Sequence, residues 1–178
     1  MEIRELHADE IECRVQSVVE KGDKVWCILL LYKDARTDMK LLDETFGNMN
    51  WQRTHEVING NLFCNIDIWD DAKKQWVRKQ DVGTESNQQA EKGESSDSFK
   101  RAGFNIGIGR ELYTAPSIFI ELADKEFYID KKDGKKRVDS KVKFFVKSIV
   151  YDKDKNITGL EIIDKKKVVR YTLKSKAV

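Results

Sequence analysis

The feature that most constrains the fold is a run of three strand-like segments joined by two short turns, between residues 50 and 83. The strings NWQRTHEVI, LFCNIDIW and QWVRKQDVG are rich in the β-branched and aromatic residues that favour strands. Asn59-Gly60 between the first two is a strong β-hairpin signal, and DDAKK between the last two is a polar turn. The pattern predicts an antiparallel three-stranded meander.

The segment before this meander predicts a hairpin followed by a short helix. Apolar and polar residues alternate over 10–20, which indicates a strand with one wetter face. The apolar run KVWCILLLY, residues 24–32, indicates a strand covered on both faces. In DARTDMKLLDETFG the apolar residues share one helical face, and Gly47 stands where a glycine C-cap is expected.

A longer helix is expected after the meander. Thr84 or Ser86 is the predicted N-cap, acids follow, and Lys100 and Arg101 come near the end at about Phe104. This distribution of charge is the one that the helix dipole favours. The order of elements is therefore strand-strand-helix-strand-strand-strand-helix.

The segment after the only proline, Pro116, predicts a small C-terminal β meander with turns at 152–156 and 164–167. The whole order predicts an α+β fold, an antiparallel β-sheet with a long helix packed across it. We expect residues 1–116 to form the core and residues 117–178 to form a β-rich extension packed on the same unit.

Composition narrows the class of protein only broadly. Of 178 residues, 40% are hydrophobic and 36% are charged, so the chain can bury a core and still carry a charged surface. The net charge of +2 neither favours nor excludes a nucleic-acid partner, because clustering decides that question. No apolar run reaches about 18 residues and the start lacks a signal peptide, so we expect a cytoplasmic protein without a membrane partner. Three cysteines without CxxC spacing are expected to be buried thiols.

Residues that would carry catalysis are sparse. The two histidines have no metal-binding spacing, and GFNIGIGR lacks the pattern of a nucleotide-binding loop, so we expect no catalytic residue and no cofactor. A group of carboxylates could still bind Mg²⁺. Asp70 and Asp71, however, fall in a predicted turn, where aspartate is common. The candidate carboxylates are Asp67, Asp70, Asp71, Asp81 and Glu85.

Basic residues on the long helix are the better functional signal. Lys92 and Lys100 lie on one helical flank, Arg101 is beside Lys100, and Phe99 belongs to an adjacent apolar ridge. With Arg14 on the first strand, such a flank would form a groove of positive charge suited to phosphates. A solvated charged face is the alternative interpretation.

Three motifs in order then indicate a family. FGxxxW within LLDETFGNMNW, followed by DVG and SDSFKRA, and preceded by DEIECRV, resembles the Rad fifty-two type of single-strand annealing protein in its phage and prophage (Sak-like) branch. The resemblance covers roughly residues 10–114. The fold of that family is similar to the order of elements expected above.

The resemblance implies ATP-independent binding of single-stranded DNA and annealing of complementary strands in homologous recombination and DNA repair. Lys100 and Arg101 would hold the DNA backbone, Arg14 would share this task, Tyr32 would lie near the groove, and Lys92 would be a further basic position. The family assembles into rings or filaments, in a bacterial or phage-infected cell. A single-strand binding protein and an exonuclease are the candidate protein partners.

Two other functions stay open at this point. One is an oligomeric scaffold that has lost DNA binding, and the other is a metal-dependent nucleic-acid enzyme that uses Asp67 or Asp81. The basic stretch 131–147 is open in the same way. It could contact DNA, contact another subunit, or form a solvated sheet face.

Overall fold

The computed structural model describes residues 2–83 and 90–174, with the backbone alone for 90–92. The fold class is α+β with antiparallel sheets, which confirms the expectation. In chain order the main elements are β1 (Glu12–Lys21), β2 (Lys24–Tyr32), α1 (Ala35–Phe46), β3 (Trp51–Ile58), β4 (Asn61–Asp70), β5 (Gln75–Val82), α2 (Ala90–Ile106), β6 (Ile118–Leu122), β7 (Phe127–Ile129), β8 (Lys136–Val138), β9 (Phe144–Tyr151), β10 (Ile157–Asp164) and β11 (Val169–Leu173). Short 3-10 helices span Ala8–Glu10 and Arg110–Thr114.

The strands of the described residues form three sheets. β3-β4-β5 is a sheet of its own, β7-β8 is a two-stranded ribbon, and the six-stranded sheet has the order β11-β10-β9-β1-β2-β6. A single sheet was expected to join the first hairpin to the meander. In the structure, the hairpin and the meander belong to different sheets. The hairpin pairs instead with β6 on one side and with the C-terminal strands on the other.

Two compact units follow from this pairing. The meander unit comprises Met1–Glu5 and Lys33–Arg110, and the six-stranded unit comprises Leu6–Tyr32 and Glu111–Val178. This division differs from the expected boundary at residue 116. The difference arises because the β1-β2 hairpin makes its ladder contacts with strands from the end of the chain.

The meander unit is built as its sequence predicts. Asn59 and Gly60 both have positive φ, 53° and 80°, as the two-residue turn between β3 and β4 requires. α2 packs on one face of the sheet through the buried side chains of Phe99 and Ala102. Gly83 permits this approach, because a Cβ there would lie 2.3 Å from the Glu94 carbonyl oxygen.

α1 also begins and ends where the sequence predicts. The Asp34 side chain accepts hydrogen bonds from the amides of Arg36 and Thr37, at 2.8 and 3.1 Å, which satisfies two otherwise unpaired donors of the first turn. Gly47 caps the other end with φ of 83°.

β2 is the central strand of the β1-β2-β6 part of the six-stranded sheet, and only one of its faces is fully buried. Cys27 and Leu29 lie in the core, whereas Leu30 on the opposite face is 47% exposed. The expectation of a strand covered on both faces was therefore wrong. β1 carries a bulge between Val15 and Ser17, which places Val18, rather than Ser17, beside Cys27.

The ends of the six-stranded sheet curl toward each other. Arg170 on β11 donates to the Glu121 carbonyl oxygen of β6 at 2.7 Å and to both carboxylate oxygens of Glu126, at 2.7 and 2.8 Å. Inward-facing side chains such as Ile120 and Ile162 fill the enclosed core. Turns at 152–156 and 164–167 join β9, β10 and β11, as the sequence predicts.

Candidate nucleic-acid interface

The Lys100-Arg101 pair lies in the second half of α2, on the surface of the meander unit. Neighbouring residues of a helix point about 100° apart, so the two cations leave α2 in different directions. Phe99 and Ala102 on either side of the pair are fully buried against the sheet. The backbone under the two cations is therefore held in place by the core.

Arg101 extends over β5. Its Nε lies 3.3 Å from Oδ1 of Asp81, and its side chain is 50% exposed. Asp81 also accepts a hydrogen bond from the Asn105 amide at 3.2 Å. A guanidinium has five N–H donors, so this one bond leaves other donors directed to solvent, where they could bind a phosphate.

Lys100 lies toward α1, near the carboxylate of Asp38. Asp38 is fully buried and ion-paired with Lys33, and its Oδ2 accepts no hydrogen bond from any residue that the structure describes. Loss of water raises the pKa of Asp38 to about 6, against the opposing effect of Lys33 and then Lys100. Gly103, one turn after Lys100, also lies beside this carboxylate, and a Cβ there would be in ordinary van der Waals contact with it at 3.5 Å.

Lys92 lies in α2, but its side chain belongs to the part of the helix that the structure does not describe. The predicted N-caps Thr84 and Ser86, and the candidate acid Glu85, also lie outside the described residues.

Arg14 and Tyr32 lie together on the six-stranded unit. Glu12 is opposite Tyr32 in the β1-β2 ladder, Arg14 is two residues further along β1, and all three share one face. The Tyr32 hydroxyl donates to a carboxylate oxygen of Glu12. Arg14 is exposed and makes no ion pair with another residue of the described ranges. The predicted site residues with described side chains thus fall into two pairs, one on each compact unit.

The sequence pattern did not indicate three further cations of the meander unit. The guanidinium of Arg53 lies over the Phe99 ring at 4.6 Å from its centroid, and Lys79 is on the same sheet face, opposite Ile66 as Arg53 is. Arg110 covers the Phe104 ring at 5.5 Å and donates to carbonyl oxygens at the end of α2. The strand register could have indicated Arg53, because it places this side chain on the side of β3 that faces α2.

The meander acids are held by protein groups. Arg78 binds both carboxylate oxygens of Asp67, at 2.8 and 3.0 Å, and Asp67 is nearly fully buried. Asp70 accepts backbone amides within the β4-β5 turn, and Asp81 is paired with Arg101. Within the described ranges, no three histidine, cysteine or acidic side chains are arranged to hold a metal ion.

Comparison with models of known protein families, with curated proteins and with solved structures gives no match to this chain. The helices in the described ranges are also too short or too polar to cross a membrane.

Proposed function

We propose that this protein binds single-stranded DNA through its phosphates and anneals complementary strands without ATP. The observation that carries the proposal is the Lys100-Arg101 pair on α2. Both side chains lie next to fully buried residues, and Arg101 keeps unused donors at the surface. Cations that are fixed by a rigid backbone suit the tracking of a phosphate chain.

Arg14 and Tyr32 are proposed as a further DNA contact, on the six-stranded unit. Arg14 is exposed without a carboxylate partner in the described ranges, so a phosphate would not have to displace one. Such contacts to the backbone carry no sequence information and leave the bases available for pairing. Stacking of about 1.4 kcal/mol per base step would then reward the correct duplex, so annealing needs no nucleotide hydrolysis.

The same proposal includes assembly into a homo-oligomeric ring or filament that acts in recombination or repair, in the cytoplasm of a bacterial or phage-infected cell. β3 and β5 are edge strands of a three-stranded sheet, and each leaves one row of backbone groups without a strand partner among the described residues. Edge strands are common sites of pairing between copies of a chain.

The test compares annealing of two complementary fluorescent oligonucleotides, without metal or nucleotide, by wild type and by a Lys100→Ala, Arg101→Ala variant. The matched control is Lys165→Ala, Lys166→Ala, which removes the same charge from an exposed turn between β10 and β11. We expect the first variant to lose annealing and the control to keep it. The slope of the logarithm of the binding constant against the logarithm of salt concentration should become less steep by about 1.4, or about 0.7 for each lost phosphate contact.

Circular dichroism and thermal unfolding would check that both variants are folded. If wild type neither binds single strands at low salt nor accelerates pairing, the annealing function is wrong and an oligomeric scaffold replaces it. Equal loss of annealing in both variants would show that general charge, and not the α2 pair, is responsible.

A further inference from the structure

The outer edge of β1 is open over most of its length. On one side β1 pairs with β2 throughout, but on the other it pairs with β9 only at Glu12, opposite Phe145. From Cys13 to Val18 no strand of the described residues pairs with this edge. Six residues of a strand present about 20 Å of backbone N–H and C=O groups.

This edge borders a cavity of about 1040 Å³ in the six-stranded unit. The opposite wall is the segment from Lys136 to Val146. Apolar side chains from both sides line the cavity: Cys13, Val15, Val18, Val142 and Phe144. Ligand pockets are commonly about 300–1,000 Å³, so the space is large enough for a bound molecule.

The cavity is a slot between β1 and the segment 136–146. The Glu12–Phe145 ladder pair lies at one end. At the other, Lys136 Nζ lies 2.6 Å from Oε2 of Glu20. Partial burial raises the pKa of the Cys13 thiol to about 12, so this thiol stays neutral.

Two cations beside the slot have no carboxylate partner among the described residues. Arg14 and Lys143 are exposed and make no ion pair with any residue in the described ranges. Arg137, which also lines the slot, is already held by Asp130 and Asp133.

The acids of the slot are partly engaged. Glu12 accepts from the Tyr32 hydroxyl, and Asp139 accepts the Lys141 amide. Asp9 stands near the end formed by the Ala8–Glu10 helix. The unpaired positive charge is therefore concentrated at Arg14 and Lys143.

We propose that this slot binds an extended acidic peptide of a partner protein, which adds to the outer edge of β1 as a strand. An edge strand offers both donors and acceptors, and a peptide backbone complements both. A DNA backbone has acceptors but no N–H donors, so it would leave the β1 carbonyls without partners. Acidic side chains of the peptide would pair with Arg14 and Lys143, and its apolar side chains would contact the lining. This protein-binding site goes beyond the proposed annealing function. It shares Arg14 with the proposed DNA contact, so an acidic peptide and DNA would compete for that side chain.

Fluorescence anisotropy with a labelled eight-residue peptide of alternating Glu and Val tests the proposal. Two further peptides carry N-methyl groups on the odd or on the even residues, so that each lacks one row of N–H donors. We expect the parent peptide to bind, and one methylated peptide to lose binding while the other keeps it. Hydrogen exchange should show that amides of Cys13–Val18 gain protection on binding.

Charge-reversal variants test whether Lys143 contacts the acidic peptide. Lys143→Glu should weaken binding of the acidic peptide at least about fivefold, whereas Lys153→Glu, an equal charge reversal in the exposed turn at the other end of β9, should not. Strand addition is overturned if both methylated peptides bind as tightly as the parent, because side-chain charge alone would then explain the affinity. It is also overturned if the parent peptide does not bind, or if a single-stranded oligonucleotide, and no peptide, protects Cys13–Val18. None of these outcomes depends on annealing activity, which is measured separately.

Discussion

The two compact units are assembled in different ways. The sheet of the meander unit joins β3, β4 and β5, which are consecutive in the chain and connected by short turns. The six-stranded sheet joins a hairpin from the beginning of the chain to strands that follow about 90 residues or more later, and a single ladder pair connects β1 to β9. Local contacts cost less chain entropy than distant ones. The first unit has a continuous sheet of local pairings, whereas the second contains the slot beside β1.

The largest expected effect is the loss of the buried ion pair in the meander unit. Lys33→Met leaves the Asp38 carboxylate fully buried without the Lys33 ammonium, and removal of one member of a buried pair costs about 3–5 kcal/mol. Urea unfolding at pH 7 measures the change in free energy of unfolding. A double variant, Lys33→Met with Asp38→Leu, should recover much of the loss, because no buried charge remains. A single variant as stable as wild type would contradict the stabilising role of the pair.

The same carboxylate should give wild type a pH dependence. The pKa of Asp38 is raised from 3.8 to about 6 in the fold, so the folded chain binds the proton more tightly than the unfolded chain. This contribution to stability is fully present below about pH 4, falls as pH rises, and is lost above about pH 6. Unfolding of wild type and Asp38→Asn across pH 4–7 measures it as a difference. An unchanged difference across this range would contradict the raised pKa.

A glycine in the meander unit gives the next largest effect. Gly83→Ala places a Cβ 2.3 Å from the Glu94 carbonyl oxygen, so α2 must move away from the sheet, at about 3 kcal/mol. Gly134→Ala in the six-stranded unit is the control, because its Cβ would meet no atom within 4 Å. It should cost only about 1 kcal/mol, for the φ of +70°. Equal losses would mean that the packing of α2 on Gly83 is not tight.

In the six-stranded unit, the curl of the sheet depends on Arg170. Arg170→Ala removes charged hydrogen bonds to Glu126 and the bond to the Glu121 carbonyl, at about 2 kcal/mol. Arg137→Ala is the matched control, since Arg137 also binds two carboxylates but is 48% exposed rather than 15%. Exposed pairs contribute about 0–1 kcal/mol. Similar losses in the two variants would contradict a special role for Arg170.

A pH series sharpens this comparison. Hydrogen bonds from Arg170 hold the pKa of Glu126 below its usual value of 4.5. The stability that they contribute is therefore present above about pH 4.5 and is lost as the pH falls further. The difference between wild type and Arg170→Ala should shrink below that pH.

The sequence predicted what local patterns determine. Asn59-Gly60 specified the β3-β4 turn, and Asp34 and Gly47 stand at the two ends of α1. The partners of the β1-β2 hairpin were not predictable in this way, because pairing with β6 and β9 depends on contacts between distant segments. The exposure of Leu30 follows from the same distant arrangement, since an apolar run does not reveal which of its faces is covered.

The candidate site shows the same limit. The sequence placed Lys100 and Arg101 on one helix, which the structure confirms, but helix periodicity did not indicate the carboxylates near them. Asp38 comes from α1 and Asp81 from β5, so their proximity to the two cations depends on tertiary packing. These carboxylates matter for the proposed function, because they would compete with a DNA phosphate for the same cations.

The smallest expected effect on stability comes from removal of the Asp81 carboxylate, which would compete with phosphate for Arg101. Asp81→Asn removes the carboxylate beside Arg101, in a pair whose arginine is half exposed, so the cost should be no more than about 1 kcal/mol. The uncharged amide no longer competes with phosphate, so affinity for single-stranded oligonucleotides should rise about two- to fivefold at low salt, by less than about 1 kcal/mol. Asp164→Asn would disturb the bonds of Arg170, so the better control is Asp154→Asn, an equal change of charge in the exposed β9-β10 turn. If both variants bind DNA equally more tightly, the effect is one of net charge. If only Asp81→Asn does, Arg101 lies in the path of the DNA.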